Sequence, residues 1–395
     1  MSAAGIDMAE RQAWVALASV PGVGDITFER LLAAYGSATS VLDELARLPA
    51  AKGDRLIAAA TSGRIRRGLA SAIRDVAEDR ERPGRAMKAL DGWLLTPLDP
   101  DYPARLHDLE QPPPVIFGIG SVGSLRAVRL VAVVGTRRPT AFGRDLSSRS
   151  AARLSEAGAT VVSGLASGVD GAAHAAALEA GGETIAVTGS GLDEPGPAAH
   201  RRLARAISRR GALISELAPG VRATRGTFPR RNRIISVLAS ATIMVEAPAR
   251  SGALITARHA LEQGRQLLVA PGRPLDPRVA GNLALLRESP AIPFVGLDEM
   301  LADLGFDAME AGTSDTMGVP GSLTAAAALE LLGPPERAGA RALRDGPQTV
   351  EGLCRGSGLP VGVVAAALTI LQLRGWARVL GSMQLRAGPL LQGAM

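Results

Sequence analysis

Lysine is nearly missing from this 395-residue chain: Lys52 and Lys88 are its only two, so 42 of the 44 basic residues are arginine. Cysteine is scarcer still. A single residue, Cys354, excludes an internal disulfide and any cysteine-based metal site. Aromatic residues make up 3% of the chain, too few for broad stacking platforms. The longest apolar stretch, Val361–Leu373 with 13 residues, falls short of a membrane span. The start, Met1-Ser-Ala-Ala-Gly-Ile-Asp7, lacks the basic-then-apolar pattern of a secretory signal. A cytoplasmic protein without membrane contact is expected. Also absent are G-x-x-x-x-G-K-[ST], H-E-x-x-H, G-x-S-x-G and a carboxylate cluster suited to two metals. No catalytic residue, metal or cofactor is therefore expected.

What is present is basic and globular. The net charge is +6 and the pI about 10.4, with 47% hydrophobic and 21% charged residues. That balance favours nucleic acid over acidic ligands or membranes. Arginine in place of lysine is what a GC-rich genome produces, so the total carries little weight. Local clusters carry more. Between Gly196 and Ile235 there are ten arginines and one acid, Glu216. Solvated surfaces usually mix signs, and this bias points to a polyanion.

Hydrophobic patterning divides the chain into a helical unit (1–85), an alternating unit (86–305), a Gly-rich linker (306–323) and a third unit (324–388). In the alternating unit, apolar β-branched runs predict strands at Leu130–Val134, Thr160–Ser163, Thr184–Thr188, Ala212–Ser215, Thr242–Glu246 and Gln266–Ala270. Helical patterns at about 143–157, 171–180, 199–210, 230–240 and 252–263 separate them. Strand–helix repetition predicts an α/β fold, a parallel sheet covered on both faces, with ligands at the carboxyl ends of its strands. In the third unit, helices near 350–355 and 360–374 precede short strands at Trp376–Leu380 and Met383–Arg386, the order of a winged helix. In the first unit, Gly22-Val-Gly24 between two helices has helix-hairpin-helix spacing, with Phe28 where a small residue is usual.

Four segments could hold a ligand. Gly135-Thr-Arg137 ends a strand in a tight turn, a natural phosphate cradle. Ser163-Gly164-Leu-Ala166-Ser167-Gly168 offers free backbone amides ahead of Asp170, a candidate helix cap, and His174. Asp170 and His174 are four apart, but caps and packed histidines far outnumber acid–base pairs at this spacing. Arg225, Phe228, Arg231, Asn232 and Arg233 combine a stacking ring with phosphate-binding groups. The helix starting near Arg230 must turn some of these inward, and Arg233 is placed to pair with Glu216 or Glu246. Ser251-Gly252 opens a helix whose first amides suit an anion, with Glu246 at the preceding strand tip and expected to pair with an arginine.

These residues, with Tyr102-Pro103, Pro112-Pro-Pro114, Gly189-Ser-Gly191, Pro271-Gly272 and Gly281-Asn282, resemble the DNA-processing protein A (DprA/Smf) family of bacterial natural transformation. The resemblance covers residues 97–305 most fully. It implies an extended Rossmann-like core, with a small helical SAM or helix-hairpin-helix-like domain before it and a winged-helix domain after it. It further implies a homodimer without a catalytic step that binds single-stranded DNA, meets single-strand-binding protein and loads the RecA recombinase. Two departures stand out: Pro195-Gly-Pro197 with His200, and Ser289-Pro-Ala291. Two other readings compete. A nucleoside-monophosphate phosphoribohydrolase should carry P-G-G-x-G-T-x-x-E where this chain has Ala247–Ala253. A double-strand-binding regulator would read DNA with Pro360–Arg374, which offers only Arg374 as a basic residue.

Overall fold

A computed structural model describes residues 7–61, 68–224, 226–306, 333–344, 348–373, 377–380 and 384–387. They fall into two units, divided at Gly312 and Thr313.

The larger unit is built on nine strands: β1 (Gly92–Leu95), β2 (Ile116–Gly120), β3 (Leu130–Val134), β4 (Thr160–Ser163), β5 (Thr184–Val187), β6 (Ala212–Ser215), β7 (Ala241–Met244), β8 (Gln266–Val269) and β9 (Ile292–Pro293). Their order is β1-β2-β6-β5-β4-β3-β7-β8-β9. From β6 to β9 all neighbours are parallel, while β2 pairs antiparallel with both β1 and β6. All six predicted strands form, within a residue or two of their predicted ends. The antiparallel edge, β1 and β2, and the two-residue β9 were not among them. In β1 and β2, glycines Gly92, Gly118 and Gly120 break the β-branched pattern.

Every residue of β3 is buried, as a strand covered on both faces requires. Val131 and Val133 face one core and Leu130, Ala132 and Val134 the other. The helices of this unit are α1 (Met8–Ala18), α2 (Asp25–Tyr35), α3 (Ala38–Ala46), α4 (Ala50–Thr61), α5 (Leu69–Ala77), α6 (Arg82–Ala89), α7 (Ala141–Glu156), α8 (Val169–Glu179), α9 (Arg201–Arg210), α10 (Thr227–Leu238), α11 (Ala253–Glu262), α12 (Ala280–Glu288) and α13 (Leu297–Asp303). Helices α7 and α8 cover the Val131 side. Helix α10 buries Ile234, Ile235, Val237 and Leu238 on the other. It carries the chain from β6, past β5 and β4, to β7 on the far side of β3. Strand order reverses beside β3, so the carboxyl ends of β3 and β7 form the switch point where such sheets bind ligands.

Helices α1–α5 share a core of Leu17, Leu31, Leu42, Leu45, Ile57 and Ile73. Phe28 is part of it, 4% exposed and edge-on to Trp14 with ring centroids 4.9 Å apart. Trp14 in turn donates its Nε1–H to the Pro114 carbonyl at 2.8 Å, fastening the helices to the sheet.

The smaller unit holds α14 (Pro334–Arg344), α15 (Val350–Ser357), α16 (Val361–Leu373), and strands β10 (Gln348–Thr349), β11 (Ala377–Leu380) and β12 (Gln384–Ala387) in the order β10-β12-β11. Thr349 caps α15 by accepting from the Gly352 amide at 3.0 Å. Ala340, Leu343, Leu353, Val364, Leu368 and Leu371 form the core of this winged helix. Helix α16 spends its apolar side there, and Arg374 lies outside the described residues. No described helix is long and apolar enough to cross a membrane.

Candidate nucleic-acid interface

Two clefts open at the carboxyl edge of the sheet, with volumes of about 600 and 470 Å³. The side chains of Arg137 and Phe228 belong to both. The Arg137 guanidinium carbon lies 4.7 Å from the centroid of the Phe228 ring, a cation–π contact. This pair is the wall between the clefts. Arg137 is exposed because Gly135-Thr-Arg137 leaves β3 at the switch point; Phe228 is half-buried because it occupies the first turn of α10.

The first cleft runs over the 164–167 loop, Gly189, Val221 and Arg222. Gly189 lies against one edge of the aromatic ring: a Cβ there would stand 3.1 Å from Phe228 Cδ1. Gly168 turns the loop into α8 with φ of +89°, a left-handed conformation that favours glycine. A Cβ on it would also strike the Thr136 carbonyl at 2.5 Å, so the 135–138 and 163–168 loops interlock. The second cleft adds Gly135, Arg138, Asn232, Arg250, Ser251 and Gly252. Asn232 donates Nδ2–H to the Gly252 carbonyl at 3.3 Å, holding the turn that opens α11.

Beneath the clefts two groups of opposite charge, Arg231 and Asp170, are buried near each other. Arg231 is 4% exposed and donates to the carbonyls of Gly164, at 2.6 Å, and Val187. Burial pushes its pKa down to about 10, opposed by Asp170. Asp170 is displaced upward by burial, opposed chiefly by Arg231. Both groups crowd Gly164, where a Cβ would lie 2.4 Å from Arg231 Nη1 and 2.6 Å from Asp170 Oδ2. Asp170 is thus a buried counter-charge, and the cap position of α8 belongs to Gly168.

His174 is fully buried, and its Nδ1 meets Thr184 Oγ1 at 2.7 Å. The Thr184 hydroxyl donates to the Val161 carbonyl, so Nδ1 carries the proton and donates to Thr184. Burial, Arg231 and His200 push its pKa down to about 3. A neutral imidazole sealed in the core is no surface acid or base.

Arg230 and Arg233 face the N-terminal helices. Arg233 Nη2 lies 2.8 Å from Asp25 and 2.6 Å from Glu216, and Nη1 donates to the Gln111 carbonyl at 2.9 Å. Arg230 reaches the same carboxylates at 2.5 and 3.2 Å. Burial pushes Glu216 upward, opposed by Arg233 and Arg230. The glycine hairpin points at this cluster, since a Cβ on Gly24 would come within 3.9 Å of Arg230 Nη1.

The structure therefore gathers Gly135, Arg137, Gly164, Ala166, Ser167, Phe228, Asn232, Ser251 and Gly252 around the clefts. Ser163 lies under them, its hydroxyl donating to the Val133 carbonyl at 2.6 Å. Arg231 is a floor strut, and Arg233 is turned to the cluster with Asp25 and away from the clefts. Arg225 lies outside the described residues. Glu246 departs from its expected arginine partner: it accepts from the Thr140 amide at 3.1 Å and hydroxyl at 2.6 Å, bracing the start of α7. Arg222, Arg250 and Gly189 belong to the clefts but were not among the expected site residues; Arg222 lay within the arginine-rich stretch and Gly189 within the family resemblance.

Fold and clefts define an extended Rossmann-like domain between a helical unit and a winged helix. The chain belongs to the DNA recombination-mediator protein A family, whose model matches residues 93–305. The DprA-like N-terminal HHH domain matches 8–71 and the DprA winged helix domain 324–382. Protein Smf of Synechocystis is 40% identical over 215 residues, covering 54% of each chain. The chain thus spans little more than half the length of that relative. DNA processing protein A from Streptococcus pneumoniae superposes with a TM-score of 0.60 at 29% identity, covering 75% of this chain and 98% of that one. DNA processing protein A from Helicobacter pylori, solved to describe its single-stranded DNA binding mode, gives 0.51 at 28% identity, covering 55% and 96%.

Proposed function

We propose that this protein binds single-stranded DNA in the two clefts and, acting as a homodimer in the cytoplasm, loads RecA onto that strand during recombination, in natural transformation where the host is competent. The Arg137–Phe228 pair carries the reading. One exposed guanidinium stacked on one ring, between two clefts floored by backbone amides, offers a base a π-face and a phosphate a charge in adjacent positions. A duplex keeps its bases stacked and would not reach the ring. The 163–168 loop and the Ser251–Gly252 turn hold the backbone, while Arg231 and Asp170 hold the loop. RecA and single-strand-binding protein as partners, and division of labour among residues 1–85, 86–305 and 324–388, rest on the family resemblance and belong to this proposal. So does the lack of a catalytic step, consistent with Glu246 and His174 being engaged internally. The hydrolase reading loses its acid with Glu246.

Fluorescence anisotropy of labelled single- and double-stranded oligonucleotides across a salt series tests it. Single strands should win, with affinity falling as salt rises. Phe228→Ala should weaken single-strand binding by about 1–3 kcal/mol, the value of one stacked base, at unchanged thermal stability. Equal binding of duplex, or no effect of the ring, overturns the reading.

A further inference from the structure

Helix α9 carries Arg201, Arg202, Arg205, Arg209 and Arg210, all exposed, while Ala204 and Ile207 anchor its opposite side in the core. At 3.6 residues per turn, Arg201, Arg202, Arg205 and Arg209 fall within a stripe roughly 100° wide, and Arg201 to Arg209 span about 12 Å. None has an acidic partner among the described residues; Arg210 donates to the Leu178 carbonyl at 3.2 Å. Some exposed arginines elsewhere do have acidic partners: Arg149 pairs with Asp145, Arg153 with Asp298 and Arg278 with Asp276. A genome's bias replaces lysine with arginine but does not remove acids from one helix.

The arrangement costs stability. The first turn of α9 has no acid, and Arg201 and Arg202 stand at the positive end of its dipole. Arg201 with Arg205, and Arg205 with Arg209, are like charges at i,i+4. A polyanion would relieve both.

The helix also starts at the rim of the first cleft. A neighbouring pocket of about 360 Å³, lined by Arg201 and Arg205, shares Asp193, Glu194 and Gly196 with that cleft. Asp193 is held by the Gly220 amide at 2.8 Å, and neither acid forms an ion pair with α9. Both acids line the first cleft as well, so the arginine stripe of α9 is the positively charged surface next to them.

We infer that α9 is a second nucleic-acid contact surface, outside both clefts, which grips the phosphates of the strand leaving the first cleft. This rests on the single-strand reading of the clefts. The test compares wild type with R201Q/R205Q/R209Q on oligothymidylates of about 6 and about 20 nucleotides, lengths bracketing common single-strand site sizes. For the long strand, the slope of log affinity against log salt should fall by roughly 2, at about 0.7 for each phosphate no longer neutralised. The short strand should bind both proteins alike, and Phe228→Ala should weaken both lengths. An unchanged slope on the long strand, or equal losses on both lengths, overturns the track while leaving the cleft reading intact. Failure of wild type to bind either length overturns the cleft reading and the track with it. Loss confined to duplex DNA or to an acidic protein surface overturns the strand track in favour of that partner.

Discussion

Helices α9 and α10 come from one arginine-rich stretch, yet they use the charge in opposite ways. On α10, Arg230, Arg231 and Arg233 are all committed inward, to Asp25, Glu216 and the carbonyls of Gly164 and Val187. On α9 the arginines face outward without acidic partners. Charge density alone identifies a polyanion-binding stretch but not which part of it meets the polyanion. Partners decide that. A guanidinium with two carboxylates is spent on the fold, and one with none is available to a ligand.

The contrast can be broken most sharply at Arg231. Arg231→Met should destabilise the protein by about 3–5 kcal/mol, because Asp170 is left buried without its counter-charge. Urea unfolding at neutral pH measures this, and R231M/D170N should recover much of the loss. A smaller loss in R231M than in R201Q/R205Q/R209Q would reverse the distinction between the helices.

Next in size is a pH effect from the same interior. His174 has a folded pKa of about 3 against an ordinary 6.5, so the unfolded chain binds the extra proton between those values. Its contribution to stability is present above 6.5 and is lost as pH falls toward 3. Between pH 7 and pH 5 it should remove about 2 kcal/mol. His174→Gln should flatten that part of the urea midpoint profile. An unchanged slope would mean the imidazole already reaches solvent.

The smallest effect belongs to α9. Without ligand, R201Q/R205Q/R209Q should melt at or slightly above the wild-type temperature, gaining about 0.2–0.5 kcal/mol for each like-charge pair removed. A clear drop in melting temperature would show that these arginines support the fold after all.

Much of this was legible in the sequence. The six parallel strands announced themselves as runs of Val, Ile, Leu and Ala, because a strand buried on both faces has no polar side. That the helix from about Arg230 turns some of its polar side chains inward was also readable, though Arg231, three and four positions before the buried Ile234 and Ile235, was expected at the ligand. Winged-helix order and the Gly135–Arg137 and 163–168 loops followed from turn residues at strand ends. The pairing of Arg230 with Asp25 could not be read, since it joins positions 205 apart in sequence. Nor could the wall between the clefts, because the Arg137–Phe228 contact depends on α10 crossing behind three strands before the chain returns to β7.

The cluster of Asp25, Glu216, Arg230 and Arg233 bears on how separable the parts of this protein are. Its acidic half is contributed jointly by the hairpin of the helical unit and the end of β6, and its basic half by the helix that carries Phe228. A chain beginning at residue 86 would keep both arginines and lose one of their two carboxylates, leaving net positive charge at the root of the stacking helix. Modular as the matches to three family models make it look, the core inherits part of its electrical neutrality from the N-terminal helices. Cutting between them would change the foundation of the clefts as well as remove a neighbour.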